Sequence, residues 1–473
     1  PEPSDEIEKL QVSRNQEQEI WDFIDDELTD IALSLPESRA SSEKNRANRY
    51  MAYALQSRAM LYAASIAKYG HVDEAHYVGI KDNPRIYYSK AIDAAQKVID
   101  SNIYEIYGLN GSDEPEKRTE NYYNLFLDKN NKEYIMCRDY TVLGIGKYHL
   151  FDFYTTPFSF ATGGYGCGMT PTLELVEAYE YIDGSKGTLK TINEDGDYIK
   201  YNHPLDLFKN KDPRLAASVY LPMFEFKDSF IEIRGGVAKN GNVPERKNWP
   251  INRANLSQKE KFENGLEINK GGKDGIVDSD DPTSTGFYQR KFYDESQTDL
   301  AEVTSRSDTP WPVFRLAEMY LNIAEAEMEL GHRAYALSAL NVVRKRAGIK
   351  QLKFSEMNLE KVRNERRIEL AFEGHRFWDL RRWRIAATPR ADNGGRGVLD
   401  GLLATALYPW AVYEDNGYLD EKTGLVIANS YIFSKEKEEV RKPAKVFLPR
   451  HYYIKFKADD INSNPKLVQN PGY

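Results

Sequence analysis

Cysteine and histidine are scarce in this chain: it has two cysteines, Cys137 and Cys167, and seven histidines in 473 residues. Two cysteines exclude a disulfide framework and a four-cysteine zinc site, and both are expected to be buried free thiols. So few histidines leave little for a Ser–His or Cys–His pair, and neither an HExxH helix nor a GxSxG elbow occurs. Long apolar runs are missing as well, so no segment reads as a membrane-spanning helix. Cationic excess is also lacking: the net charge of −9 argues against nucleic acid, whose binding draws on Lys and Arg neutralising phosphates. The opening PEPSDEIEKLQ shows neither the basic region nor the apolar core of a signal peptide.

What is abundant is tyrosine, 32 against 20 phenylalanines, with six tryptophans. Tyr and Trp join an apolar face to a polar handle, which suits wet binding surfaces. A hydrophobic content of 41% with 29% charged residues describes a soluble globular protein.

Helical periodicity marks two blocks. Residues 17–35 place Ile20, Phe23, Ile24, Leu28, Ile31 and Leu35 at helical spacing, and 46–70 and 85–104 continue the pattern. In 46–70, Ala52, Ala59, Ala63 and Ala67 permit close helix packing. The grammar returns at 312–347, where two helices are expected to stop at Gly331 and Gly348. Paired helices with small residues at the contact resemble a tetratricopeptide unit. Between the blocks, glycine, proline, asparagine and aspartate recur, with β-like runs at 132–140 and 216–224. The expected fold is mainly α: stacked tetratricopeptide-like hairpins with a large irregular region. Four segments are expected: 1–107 helical scaffold, 108–311 irregular ligand-binding region, 312–384 tetratricopeptide-like helices, and 385–473 loop-rich tail.

Residues 364–383, NERRIELAFEGHRFWDLRRW, carry five arginines and four acids. Glu365 and Glu369 share a helix face, at a spacing compatible with the carboxyl pair of a glycosidase. A general acid must retain its proton, however, and Arg363, Arg366 and Arg367 favour the ionised form. The stretch therefore reads as scaffold, with Glu369–Arg366 and Glu373–Arg376 pairs, a structural His375, and Phe377, Trp378 and Leu380 as apolar bulk. The acids of 274–286 lack the regular spacing of a calcium loop, which leaves calcium as a weak candidate. The glycines of 161–168 match no phosphate-binding pattern.

The same stretch closely resembles the hallmark helix of the SusD/RagB family, surface lipoproteins that bind nutrient glycans for a TonB-dependent outer-membrane transporter. PTLELVEAYEYIDG (171–184), NKDPRLAASVYLP (210–222), RLAEMYLNIAEAE (315–327) and DINSNPKLVQNPGY (460–473) are similar to further family segments, in order. The beginning departs from the pattern, since RNQEQEIWDFIDDELTDIALSLP resembles a segment that family members place after a first helical region. The resemblance implies an outward-facing outer-membrane protein, lipid-anchored in its precursor through a cysteine this sequence does not contain. It implies non-catalytic capture of an oligosaccharide and delivery to a SusC-like transporter, with peptide binding or glycan hydrolysis as alternatives. No cofactor is implied.

Sugar rings lie against flat aromatics, and amide and charged side chains bind their hydroxyls. The expected platforms are Tyr148, Tyr154, Phe158 and Tyr165 in 147–166, then Trp249 and Trp410, with Arg246, Asn248 and Asn252 as hydroxyl partners.

Overall fold

The computed structural model describes residues 11–73, 77–141, 147–161, 168–263, 265–277, 282–296, 306–387, 398–414, 418–419, 426–436 and 444–473. Helices α1 (Glu17–Ser34), α2 (Arg49–Tyr69) and α3 (Pro84–Asp100) form the first block. Asn48 caps α2 by accepting from Met51 N at 2.9 Å, and Asn83 caps α3 ahead of Pro84 at its first turn. Alanine lets α2 and α3 lie close: Ala52, Ala59 and Ala63 are all buried. The apolar spacing of α1 is helical as expected, yet Ile20, Phe23 and Ile31 stand in solvent.

The chain then crosses α4 (Pro115–Leu125), β1 (Tyr134–Arg138), α5 (Phe151–Thr155), α6 (Pro213–Ser218) and β2 (Gly236–Lys239). It re-enters the scaffold through β3 (Trp311–Arg315), α7 (Leu316–Leu330), α8 (Arg333–Ala347), α9 (Leu359–Glu369) and α10 (His375–Arg382). Helix α7 packs against α3, α8 and α9, so the two blocks form one stack of hairpins. Gly331 and Gly348 end α7 and α8 at φ 88° and 73°, the left-handed region that glycine adopts without strain.

The helix expected from residue 312 begins at Leu316, because 311–315 is a strand. Pro310 and Pro312 disfavour a helical start and Val313 and Phe314 suit a pleat. Strand β3 pairs antiparallel with β1, placing Arg138 opposite Trp311 and Tyr134 opposite Arg315. The tail is also more ordered than its composition suggests. All eight residues of β4 (Ala406–Tyr413) are buried, between antiparallel β5 (Ser430–Glu436) and parallel β2.

Glu369, at the end of α9, joins these parts. It is wholly buried and contacts Arg214 of α6 at 2.7 Å, Arg315 at the end of β3 at 2.6 Å, and Arg346 of α8. Burial pushes its carboxyl upward, but Arg346, Arg315 and Arg214 outweigh that and hold it well below the usual range. The local Glu369–Arg366 pair expected from spacing is replaced by these long-range partners. Arg366 instead binds Asp379 at 2.9 Å and Asn322 at 2.8 Å. Glu373 reaches Lys291 at 2.8 Å and Arg315 at 2.7 Å, and Glu365 reaches Arg344 at 2.8 Å. Helix α10 adds Arg382, which grips Glu325 of α7 at 2.7 Å and Ser65 of α2 at 2.7 Å. The carboxylate pair at 365 and 369 is thus an internal strut, closed to substrate.

Breaking a buried ion pair from one side leaves its partner charges uncompensated. Glu369→Gln should lower unfolding free energy by about 3–5 kcal/mol in denaturant titration. Gly331 has open space where a Cβ would sit, so Gly331→Ala should cost only its backbone strain, about 1 kcal/mol.

Candidate ligand-binding site

Two surface cavities collect the aromatic and amide residues of the irregular region. The first, about 280 Å³, is lined by Tyr140, His149, Phe151, Tyr154, Phe292 and Trp311. Trp311 begins β3, four residues before the buried Arg315, so the strut network fixes the strand that presents it. Its indole is 36% exposed, and Tyr154 and neighbouring Tyr148 are 52% and 44% exposed. The hydroxyls of Tyr148 and Tyr154 have no hydrogen-bond partner among the described residues, which leaves them for a ligand.

The floor of this cavity is rigid. Phe292 adopts φ 73°, a region unfavourable for a bulky residue, so its surroundings must hold it there. They do: its ring lies 5.0 Å from Phe126, 5.8 Å from Phe151 and 5.1 Å from Trp311. Beneath it, Lys291 Nζ sits 4.1 Å from the Phe126 ring centre while binding Glu373. Burial lowers this ammonium to about 8, against the opposing pull of Glu373.

His149 is not a free polar contact. Its Nδ1 accepts from Phe151 N at 3.2 Å and its Nε2 faces Thr309 O at 2.9 Å, which requires the proton on Nε2. Burial lowers its pKa, in keeping with a neutral ring. Among its described lining residues the cavity therefore offers aromatic faces and tyrosine hydroxyls.

The second cavity, about 480 Å³, is lined by Trp249, Asn248, Asn242, Asn255, Gln258 and Lys270 among others. Trp249 is 7% exposed, and its indole N–H donates to Pro244 O at 2.7 Å. Trp410 is fully buried, donates to Ser434 Oγ at 2.9 Å, and lies against the Trp249 ring at 4.9 Å. Gly236 makes room for it, since a Cβ there would come 2.3 Å from the indole. Both tryptophans were expected as open platforms; they line the cavity, but both are buried and their N–H groups are spent on protein partners.

The remaining expected residues are dispersed. Asn248 is exposed, and Arg246 stands 5.9 Å from the Trp249 ring and 3.8 Å from Glu436. Asn252 is a helix cap, accepting from Asn255 N at 3.0 Å, and does not line the cavity. Phe158 is half-buried beneath Arg253 at 4.7 Å, and Tyr165 lies outside the described residues. Of the expected residues, the structure thus brings Tyr154 to one cavity and Asn248, Trp249 and Trp410 to the other, with Tyr148 beside the first and Arg246 outside the second. Trp311 was missed because it stood beside an expected helix. Phe377 and Trp378, expected as apolar bulk, are 50% and 46% exposed.

Asp274, in the acidic stretch, is buried and accepts from Ser159 N at 2.7 Å, Ser159 Oγ at 2.8 Å and Glu232 N at 3.0 Å. Its carboxylate holds two loops together, and among the described residues no metal-holding cluster forms. The other aspartates of that stretch, 278, 280 and 281, lie outside the described residues. Cys137 is a buried free thiol, pushed up to about 12 by burial; Cys167 lies outside the described residues.

Truncating Trp410 should cost about 3–5 kcal/mol of stability, as for other buried large-to-small changes. Asp152 on α5 is buried with Oδ1 unpartnered, and burial raises it from 3.8 to about 7. A raised folded pKa stabilises below the unfolded value and loses that contribution as pH climbs through about 7. Asp152→Asn should therefore be more stable than the parent at pH 8 by about 2–4 kcal/mol, with the gain vanishing near pH 4 in thermal melts.

The SusD family model matches residues 132–473. A SusD-like protein of Formosa agariphila is 44% identical over 79 residues, a match that spans 15% of this chain and 15% of that relative. A SusD-like protein from Bacteroides fragilis superposes with a TM-score of 0.64 at 22% identity, covering 98% of this chain and 72% of its own. A second B. fragilis structure, described as a SusD-like carbohydrate-binding protein, gives 0.60 at 18% identity, covering 98% and 73%. The family match over most of the chain is decisive, and the mainly helical fold shared with these structures agrees with it: this protein belongs to the SusD family.

Proposed function

We propose that this protein captures an oligosaccharide at the outer face of the outer membrane, without chemistry, and passes it to a TonB-dependent transporter. The observation that carries this reading is the aromatic cavity. Tyr154 and Trp311 are exposed around one hollow, with Tyr148 exposed beside it, and the strand presenting Trp311 is tied to the ionic core through Arg315. Aromatic faces fit the C–H faces of sugar rings, and tyrosine hydroxyls fit their hydroxyl groups. Family membership and the carbohydrate-binding description of a structural neighbour support the same reading.

Burial of the carboxylate pair at glycosidase spacing supports the non-catalytic part of this reading. The pair at the spacing of a glycosidase is 1% and 0% exposed, with Glu369 locked by three arginines. No described helix is long and apolar enough to cross a membrane. Attachment through a lipid on the precursor is part of the proposal.

The test is a panel of oligosaccharides and peptides in isothermal titration. Oligosaccharide should bind, and Trp311→Ala and Tyr154→Ala should each weaken it about tenfold, near 1.4 kcal/mol, with melting temperature unchanged. Binding of peptides alone, or affinity indifferent to both substitutions, would contradict the proposal.

A further inference from the structure

The second cavity differs from the first in charge. Lys239, Lys247 and Lys270 border it against one carboxylate, Glu260. Glu260 lies 3.0 Å from Lys239 Nζ and 3.9 Å from Lys270 Nζ, so one anion serves two cations. Lys239 is also fixed by the Lys261 carbonyl at 2.6 Å, whereas Lys270 has only the long contact among the described residues. Lys247 pairs with Glu245 at 2.5 Å, but both side chains are about three-quarters exposed, and such a pair exchanges readily for a ligand anion. In a chain of net charge −9, this local excess of cations runs against the whole.

Hydrogen-bonding groups converge on the same hollow. The carboxamides of Asn242 and Asn248 have no partner among the described residues. Gln258 Nε2 donates to Asn255 Oδ1 at 2.8 Å, which orients both amides and leaves the Gln258 side-chain oxygen without a partner among the described residues. Trp249 forms a fixed wall, held by its bond to Pro244. Positioned amides beside loosely compensated ammonium groups suit a sugar that carries both hydroxyls and a negative charge.

We propose that this cavity is a second saccharide subsite, selective for a sugar residue bearing a carboxylate or a sulfate. The proposal rests on the glycan reading above and names the substrate class. Lys270 and Lys247 bind the anion, and the amides of Asn242, Asn248 and Gln258 bind neighbouring hydroxyls.

Titration calorimetry with three probes tests it: an oligogalacturonate, its carboxyl-reduced counterpart, and a sulfated galactan oligosaccharide. One of the two anionic probes should bind about tenfold tighter than the reduced one, with the advantage shrinking at high salt. The two anionic probes separate carboxylate from sulfate. The Lys247→Gln/Lys270→Gln double variant should lose that advantage while keeping its affinity for the reduced probe and its melting temperature. If it melts early, Lys247→Gln alone, on a side chain about three-quarters exposed, is the second variant and should cut the anionic advantage several-fold. Equal binding of the reduced and anionic probes, or a preference that survives both variants, overturns the subsite and leaves the glycan reading standing. Absence of binding across these probes and a wider oligosaccharide panel overturns both.

Discussion

One buried carboxylate sets the geometry of this molecule. Glu369 meets guanidinium groups from α6, β3 and α8, and none of the four is more than 1% exposed. Removing such charges from water costs several kcal/mol each, so they are tolerated only when they meet with good geometry. Arg214, Arg315 and Arg346 must all arrive for Glu369 to be buried at all. The consequence is that an irregular region, a strand and a helical hairpin are held to one arrangement. Hydrophobic packing alone, which is non-directional, does not supply this.

That constraint passes directly to the binding surface. Arg315 ends the strand that Trp311 begins, and Glu373 joins Arg315 to Lys291, which underlies Phe292 and the aromatic floor. Phe292 keeps an unfavourable backbone conformation because rings from three other segments enclose it. A platform on a strand so anchored loses little freedom when a ligand arrives, and preorganisation of this kind favours affinity. In the proposed function, the scaffold segment that looked most like an active site acts on ligand through position.

Much of the scaffold was legible in the sequence. The alanine spacing of α2, the glycines after α7 and α8, and the arginine-rich stretch all report short-range physics, which sequence carries directly. The partners of Glu369 were not legible, because they lie 155, 54 and 23 residues away. Spacing along one helix suggested Arg366, which the fold assigns to Asp379. Exposure was legible only in part. Tyr148 and Tyr154 lie open, whereas Trp249 and Trp410 look the same in sequence and are buried by a sheet that joins 236–239 to 406–413. Trp311 was hidden by its position before an amphipathic helix. Its flanking prolines, Pro310 and Pro312, were the signal that the helix had not yet begun.

The central claim is that ligand is held by aromatic faces presented from an ionically locked scaffold. A crystal structure of the protein with a bound oligosaccharide tests it most directly. The account predicts a sugar ring stacked on Trp311 or Tyr154, with Phe292 and the Glu369 cluster unmoved. A glycan seated away from both cavities, or binding that requires the cluster to open, would contradict it.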